Sequence, residues 1–150
     1  MAVGNTFGAT ALSSYGGFWI SFAIILTPGG FQIESGLASI SEATFLNSFG
    51  LYLMGWMIFT FLLYSPPFSS LFCTLADQNR LICTLRSTVA FFSLFFTLDM
   101  AFLLLGIGYL QNDGTHPQGG CIVAGGAFGL MAAFLAWYNA LAGIADSSNR

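Results

Sequence analysis

Long apolar runs, broken by short polar stretches, set the reading of this chain. No Asp, Glu, Lys or Arg occurs from residue 1 to 33, and none from 43 to 76. Each run has room for a helix of about 20 residues, the length that crosses roughly 30 Å of hydrocarbon. The pattern predicts four membrane-spanning helices, at about 7–27, 45–64, 87–110 and 119–142, in an all-α membrane protein. The breaks between them carry turn chemistry: Thr27-Pro28-Gly29-Gly30, Ser65-Pro66-Pro67 and Gln111-Asn112-Asp113-Gly114. Ile33, Leu37 and Ile40 recur at helical spacing in the first loop and predict a short interfacial helix there. Phe68 to Ile82, with Asp77 and Arg80, is too short and too polar to span and reads as a loop or surface segment. At its edges Cys73-Thr74-Leu75 recurs as Cys83-Thr84-Leu85, a repeat too brief to carry an argument.

Small residues add a second pattern. Gly4 and Gly8, then Ser13 and Gly17, stand four apart on the first helix. Gly125, Gly129, Ala132, Ala136 and Ala140 form a similar stripe on the last. In lipid such stripes let helix backbones approach closely, so both helices are expected to pack through them. Phe91, Phe92, Phe95, Phe96 and Phe102 make the third helix aromatic all round, which suits a segment that needs no polar face.

Composition agrees. The chain has 150 residues, 56% hydrophobic and 6% charged, with mean hydropathy +0.79. A water-facing domain carries about 25% charged residues. Three basic residues cannot neutralise a nucleic-acid backbone, so no nucleic-acid partner is expected. Cys73, Cys83 and Cys121 form no metal-binding spacing, and no cofactor or metal is expected. No basic segment precedes the first apolar run, so no signal peptide is expected. His116 is the lone histidine and sits in a loop, and no nucleophile–base arrangement accompanies it, so an enzyme is not expected. Arg80 and Arg86 lie between the second and third helices, and Arg150 follows the fourth. The positive-inside rule then places the 65–86 loop and the C-terminus in the cytoplasm.

Two residues stand out within the spans. Asp99 is the one carboxyl near mid-span, and an aspartate facing lipid at that depth costs about 2.5–3.5 kcal/mol. It is either a proton site or a carboxyl packed by hydrogen bonds against another helix. Arg86 is not its partner along the same helix, lying roughly 20 Å away along the axis. Tyr15 sets one phenol among small residues. It is either a buried tyrosine bonded to a neighbouring helix or a pore-lining group whose hydroxyl can donate to a carboxylate.

Gly4-Asn5-Thr6-Phe7-Gly8, Thr10-Ala11, Ser14-Tyr15-Gly16 and Phe18-Trp19 closely resemble the third transmembrane helix of the acetate uptake transporters, the Ato/SatP/YaaH family, in its fungal branch. The likeness continues through Leu51-Tyr52-Leu53, Gly55-Trp56 and Phe59-Thr60, then Phe102-Leu103-Leu104-Leu105-Gly106-Ile107-Gly108, and Trp137-Tyr138-Asn139-Ala140-Leu141-Ala142-Gly143. The resemblance implies a six-helix, proton-coupled carrier of acetate or related short monocarboxylates, hexameric, in the plasma membrane. It further implies that Tyr15 and Leu98 narrow the substrate pathway and that Ala136 is a small pore-side residue. Read without the resemblance, Leu98 faces lipid or a neighbour, and Ala136 belongs to the packing stripe.

The resemblance covers helices three to six only. The family's Asn-Pro-Ala-Pro-Leu-Gly-Leu signature, on its first helix, is absent, and Phe68–Ile82 is an atypical insertion. The chain is therefore expected to be a single truncated transporter domain over residues 1–150. Two other readings fit the same residues: a non-transporting relative that assembles with full-length subunits, and a passive channel for ammonium or urea.

Overall fold

The computed structural model describes residues 6–65 and 81–145, with side chains over 10–65 and 89–142. Five helices follow in chain order: α1 Thr6–Leu26, α2 Ile33–Ala38, α3 Glu42–Tyr64, α4 Leu81–Leu110 and α5 Gly119–Ala145. No strand occurs among the described residues. By length and composition, Glu42–Tyr64, Val89–Leu110 and Gly119–Ala142 are long and apolar enough to cross a membrane; Thr10–Leu26 is a shorter apolar helix. The fold is all-α and membrane-like, with three clear spans where four were expected.

The helix ends obey local chemistry. Ser65 has φ −63 and ψ 140, the extended conformation imposed on a residue that precedes proline, here Pro66. Glu42 starts α3, three residues before the predicted start, and its carboxylate suits the positive end of the helix. The predicted start of the third helix at 87 is also corrected, to Leu81. The sequence from 81 to 87 contains no Pro or Gly, so Arg86 limits the apolar window without stopping the helix. A short helix forms there as α2, but Ile40 lies beyond it and is 75% exposed, while Leu37 packs on the core. Of the Phe68–Ile82 insertion, Leu81 and Ile82 belong to α4 and the rest lies outside the described residues, as do Arg80, Arg150 and the start of the Gly4-Asn5 motif. The side chain of Arg86 lies outside them too.

The loop from 111 to 118 turns α4 back toward α5. Asp113 Oδ1 accepts from the His116 and Thr115 N–H groups, at 2.6 and 2.9 Å, and from the Thr115 hydroxyl at 3.0 Å. The His116 N–H, then the Thr115 groups, hold the Asp113 carboxyl down at about 2. Gly114 takes φ 97 at the turn, a conformation that favours glycine. The Gln118 side chain accepts the Cys121 N–H at 2.6 Å and caps the start of α5.

Close helix packing sits elsewhere than the small-residue stripe of the first helix predicts. A Cβ on Gly50 of α3 would stand 2.9 Å from Leu110 Cγ and 3.2 Å from the Gly106 carbonyl of α4. A Cβ on Gly125 of α5 would stand 2.7 Å from Leu105 Cγ and 3.0 Å from its backbone nitrogen. On α1, Gly16 and Gly17 instead face open space. Large rings separate α1 from α3: Phe18 and Tyr52 stack with centroids 5.9 Å apart, and Phe22 meets Phe49 at 5.6 Å. The stripe on α5 divides: Gly125 and Ala132 are buried, whereas Ala136 and Ala140 are exposed.

The core follows from this packing. Phe18, Phe45, Leu46, Phe49, Leu53 and Phe102 form one buried cluster, and Ala11, Leu63 and Phe95 a second. Trp19, Ile20, Val123, Phe134 and Trp137 point outward. In a bilayer such residues meet solvent of their own kind, so they carry no penalty there.

Candidate functional site

Three hydroxyl-bearing residues stand on one stripe of α3. Tyr52, Thr60 and Tyr64 are separated by multiples of four residues, with Trp56 between the first two. Each step of four drifts about 40° around a helix, so the stripe winds from the α1 side at Tyr52 and Thr60 to the α4 side at Tyr64. Each reaches a different element or depth. Tyr52 meets Ser21 of α1 at 2.6 Å, Thr60 meets Tyr15 of α1 at 2.8 Å, and Tyr64 donates to Asp99 of α4 at 2.9 Å.

The direction of the Tyr15–Thr60 bond follows from counting hydrogens. Thr60 Oγ1 donates its one hydrogen to the Trp56 carbonyl at 2.8 Å. A hydroxyl has one donor, so Tyr15 supplies the hydrogen between them. Thr60 is fully buried. The Tyr15 ring is held from three sides: Phe95 stacks at 6.0 Å, while Trp56 and Phe59 each stand at 6.1 Å. Tyr15 therefore joins both core clusters, packing on each. Trp56 and Phe59 also line an open groove of about 520 Å³ on the outer side, with Ser14, Leu51, Tyr52 and Gly55.

Leu98 packs against the larger cluster, the one that Tyr15 also touches. The structure thus gathers Tyr15 and Leu98 on one aromatic core. Ala136 is not gathered with them: it lies on an exposed face of α5. Asp99 is 2% exposed. Its Oδ2 accepts from Tyr64, and its Oδ1 is buried without a partner among the described residues. The hydrogen-bond partner on another helix is a tyrosine hydroxyl, from α3.

Thr60 and Tyr64 are the residues that sequence reasoning passed over as a site. Their signal is the four-residue spacing of Tyr52, Trp56, Thr60 and Tyr64, which sets polar tips along one winding stripe of an otherwise apolar helix. No group of His, Cys, Asp and Glu suited to a metal ion occurs among the described residues. Chemically, the arrangement offers a phenol donor inside an aromatic narrowing and a buried carboxyl one helix turn beyond the ring that stacks on it, Phe95.

Comparison with known proteins adds lineage to this geometry. The chain is 63% identical over 152 residues to acetate permease A of Emericella nidulans, covering 99% of this chain and 45% of that protein. It is 42% identical over 149 residues to ammonia transport outward protein 2 of Saccharomyces cerevisiae, covering 99% of this chain and 44% of that protein. It is 33% identical over 111 residues to the succinate-acetate/proton symporter SatP of Escherichia coli, covering 73% and 46%. These are the names of transporters, not of enzymes. The chain spans less than half the length of each of these relatives. No solved structure gives a significant match. The GPR1/FUN34/yaaH family pattern matches residues 1–150, and with the fungal relatives so similar along the whole chain, this protein belongs to the GPR1/FUN34/yaaH family.

Proposed function

We propose that the chain is a single domain over residues 1–150 that forms four of the six spans of a transporter for acetate or a related short monocarboxylate, coupled to protons. The similarity to acetate permease A supports the substrate class, and that to the succinate-acetate/proton symporter supports the coupling. The observation that carries the reading is the gathering of Tyr15 and Leu98 on one aromatic cluster, with the Tyr15 hydroxyl as donor. In this mechanism the rings around Tyr15 exclude water and larger anions. The phenol trades Thr60 for the solute carboxylate as its acceptor. It attracts the anion without a fixed charge, so the solute is not trapped. Leu98 limits the width of the passage, and Ala136 keeps a pore-side position small. Asp99 takes up and releases the coupled proton. The protein sits in the plasma membrane as a homo-oligomer, a hexamer by family resemblance, with the 65–86 loop and the C-terminus cytoplasmic.

Uptake of labelled acetate into proteoliposomes, with and without a proton gradient, tests the proposal. Gradient-driven uptake by the chain, lost in Asp99→Asn with assembly intact, is the expected result. Normal uptake with unchanged pH dependence in Asp99→Asn removes the proton-site assignment.

A second reading has its own support: the fungal relatives are more than twice as long, and Gly16, Gly17, Gly126 and Gly129 have open space where a Cβ would stand. The chain then assembles with a full-length relative and alters it without transporting alone. Absence of uptake together with co-purification of such a relative favours this reading. Flux of ammonium or urea that ignores the gradient favours a passive channel, the reading nearest to the ammonia transport relative.

A further inference from the structure

We propose that Tyr64 is a positioning residue for Asp99: its hydroxyl holds Oδ2 and leaves Oδ1 as the oxygen at which the carboxyl exchanges a proton. The proposal rests on the reading of Asp99 as a proton site given above and deepens it.

The argument begins with the two carboxyl oxygens, which are chemically equivalent until a neighbour distinguishes them. Tyr64 does so by donating to Oδ2 at 2.9 Å, while Oδ1 has no partner among the described residues. A buried polar atom without a partner is rare and costly, so its presence calls for a physical reason. Asp99 is 2% exposed, and no side chain among the described residues donates to Oδ1. What satisfies Oδ1 is small: a proton, or a water that delivers one. On uptake an O–H bond forms at Oδ1 from its own lone pair as an O–H bond of a hydronium ion breaks, and the donor leaves as water. Release reverses the step, and nothing is oxidised or reduced.

Tyr64 is itself fixed from both helices. Its ring meets Phe61 of α3 and Phe92 of α4, each edge-on with centroids 5.6 Å apart. The hydroxyl therefore cannot swing to Oδ1 without breaking those contacts. The titratable groups nearest Asp99 are Tyr64 from α3, bonded to Oδ2, and Tyr15 from α1, whose ring stacks on Phe95 one turn before Asp99. Among the described side chains of α5 the titratable ones are Cys121 and Tyr138, and neither bonds to Asp99. No Lys or Arg side chain stands among those described.

Infrared difference spectroscopy of the reconstituted full chain, stepped in pH, tests this without reference to transport. The expected result is a pH-dependent carboxyl C=O band that is absent from Asp99→Asn. In Tyr64→Phe that band moves to higher wavenumber, because the carbonyl oxygen has lost its donor, and its pH midpoint moves with it. Tyr138→Phe, on the exposed face of α5, leaves the band in place. In D₂O the band of the unaltered chain shifts to lower wavenumber, since the proton on Oδ1 exchanges; this measurement stands even where Tyr64→Phe fails to fold. A band with the same position and midpoint in Tyr64→Phe overturns the positioning role, as does a band insensitive to D₂O. A spectrum in which Asp99→Asn removes no pH-dependent band overturns the proton site itself, and the proposal with it.

Discussion

The Tyr15 hydroxyl donates to Thr60 Oγ1 across 2.8 Å and ties α1 to α3 inside a shell of aromatic rings. Hydrogen bonds between membrane helices contribute modestly, because the separated helices find other partners in the bilayer. A double-mutant cycle of Tyr15→Phe with Thr60→Val is expected to give a coupling of about 0.6 kcal/mol, and no more than about 1.7. Unfolding titrations in mixed micelles measure it. A coupling indistinguishable from zero means that the two hydroxyls do not meet.

Selectivity provides the next expectation. Leu98→Val removes one methylene from the narrowing that Leu98 is proposed to form. Discrimination at the scale of a methylene is worth roughly 1–3 kcal/mol. Uptake of butyrate relative to acetate should therefore rise, by roughly tenfold. A ratio that stays fixed while stability falls assigns Leu98 to packing alone.

Glycine contacts separate two neighbours on α5. Gly125→Ala places a methyl against Leu105, including its backbone nitrogen at 3.0 Å, so turning the Leu105 side chain cannot relieve it. Overpacking of this kind costs about 1–3 kcal/mol. Gly126→Ala meets open space and should change stability by less than about 0.5 kcal/mol. Equal losses for both variants in the same unfolding assay would contradict the α4–α5 contact.

The Asp113 turn responds to acid with a definite sign. The His116 and Thr115 donors lower its folded pKa to about 2, below an unfolded value of about 3.9. Its contribution is therefore fully present above roughly pH 4 and fades as pH falls through about 2. Hydrogen exchange at the Thr115 and His116 amides, compared in the unaltered chain and Asp113→Ala, follows it. Protection should persist down to about pH 4 and then decline, and Asp113→Ala should lack it at every pH.

The apolar runs made the helices legible because lipid rewards composition and length, whatever the partner. Spacing within a run says less about which neighbour a face meets. The stripe through Ser13 and Gly17 is a case in point: Gly16 and Gly17 face open space, and the rings of Phe18, Tyr52 and Phe49 hold the helices apart. Helix starts are least legible where a charge borders an apolar run, as at Arg86, since α4 runs through it from Leu81. Tyr15 and Asp99 were visible as anomalies in a greasy sequence. Thr60 and Tyr64 were not, because a hydroxyl on an apolar helix is common and its partner comes from a segment distant in the chain.

The contact between Gly50 and Gly106 has a mechanical corollary. Asn112 donates to Asn47 at 2.8 Å to one side of it, and Tyr64 donates to Asp99 at 2.9 Å to the other. The two helices are thus bonded on both sides of their glycine contact, so neither end of the pair splays without breaking a polar link.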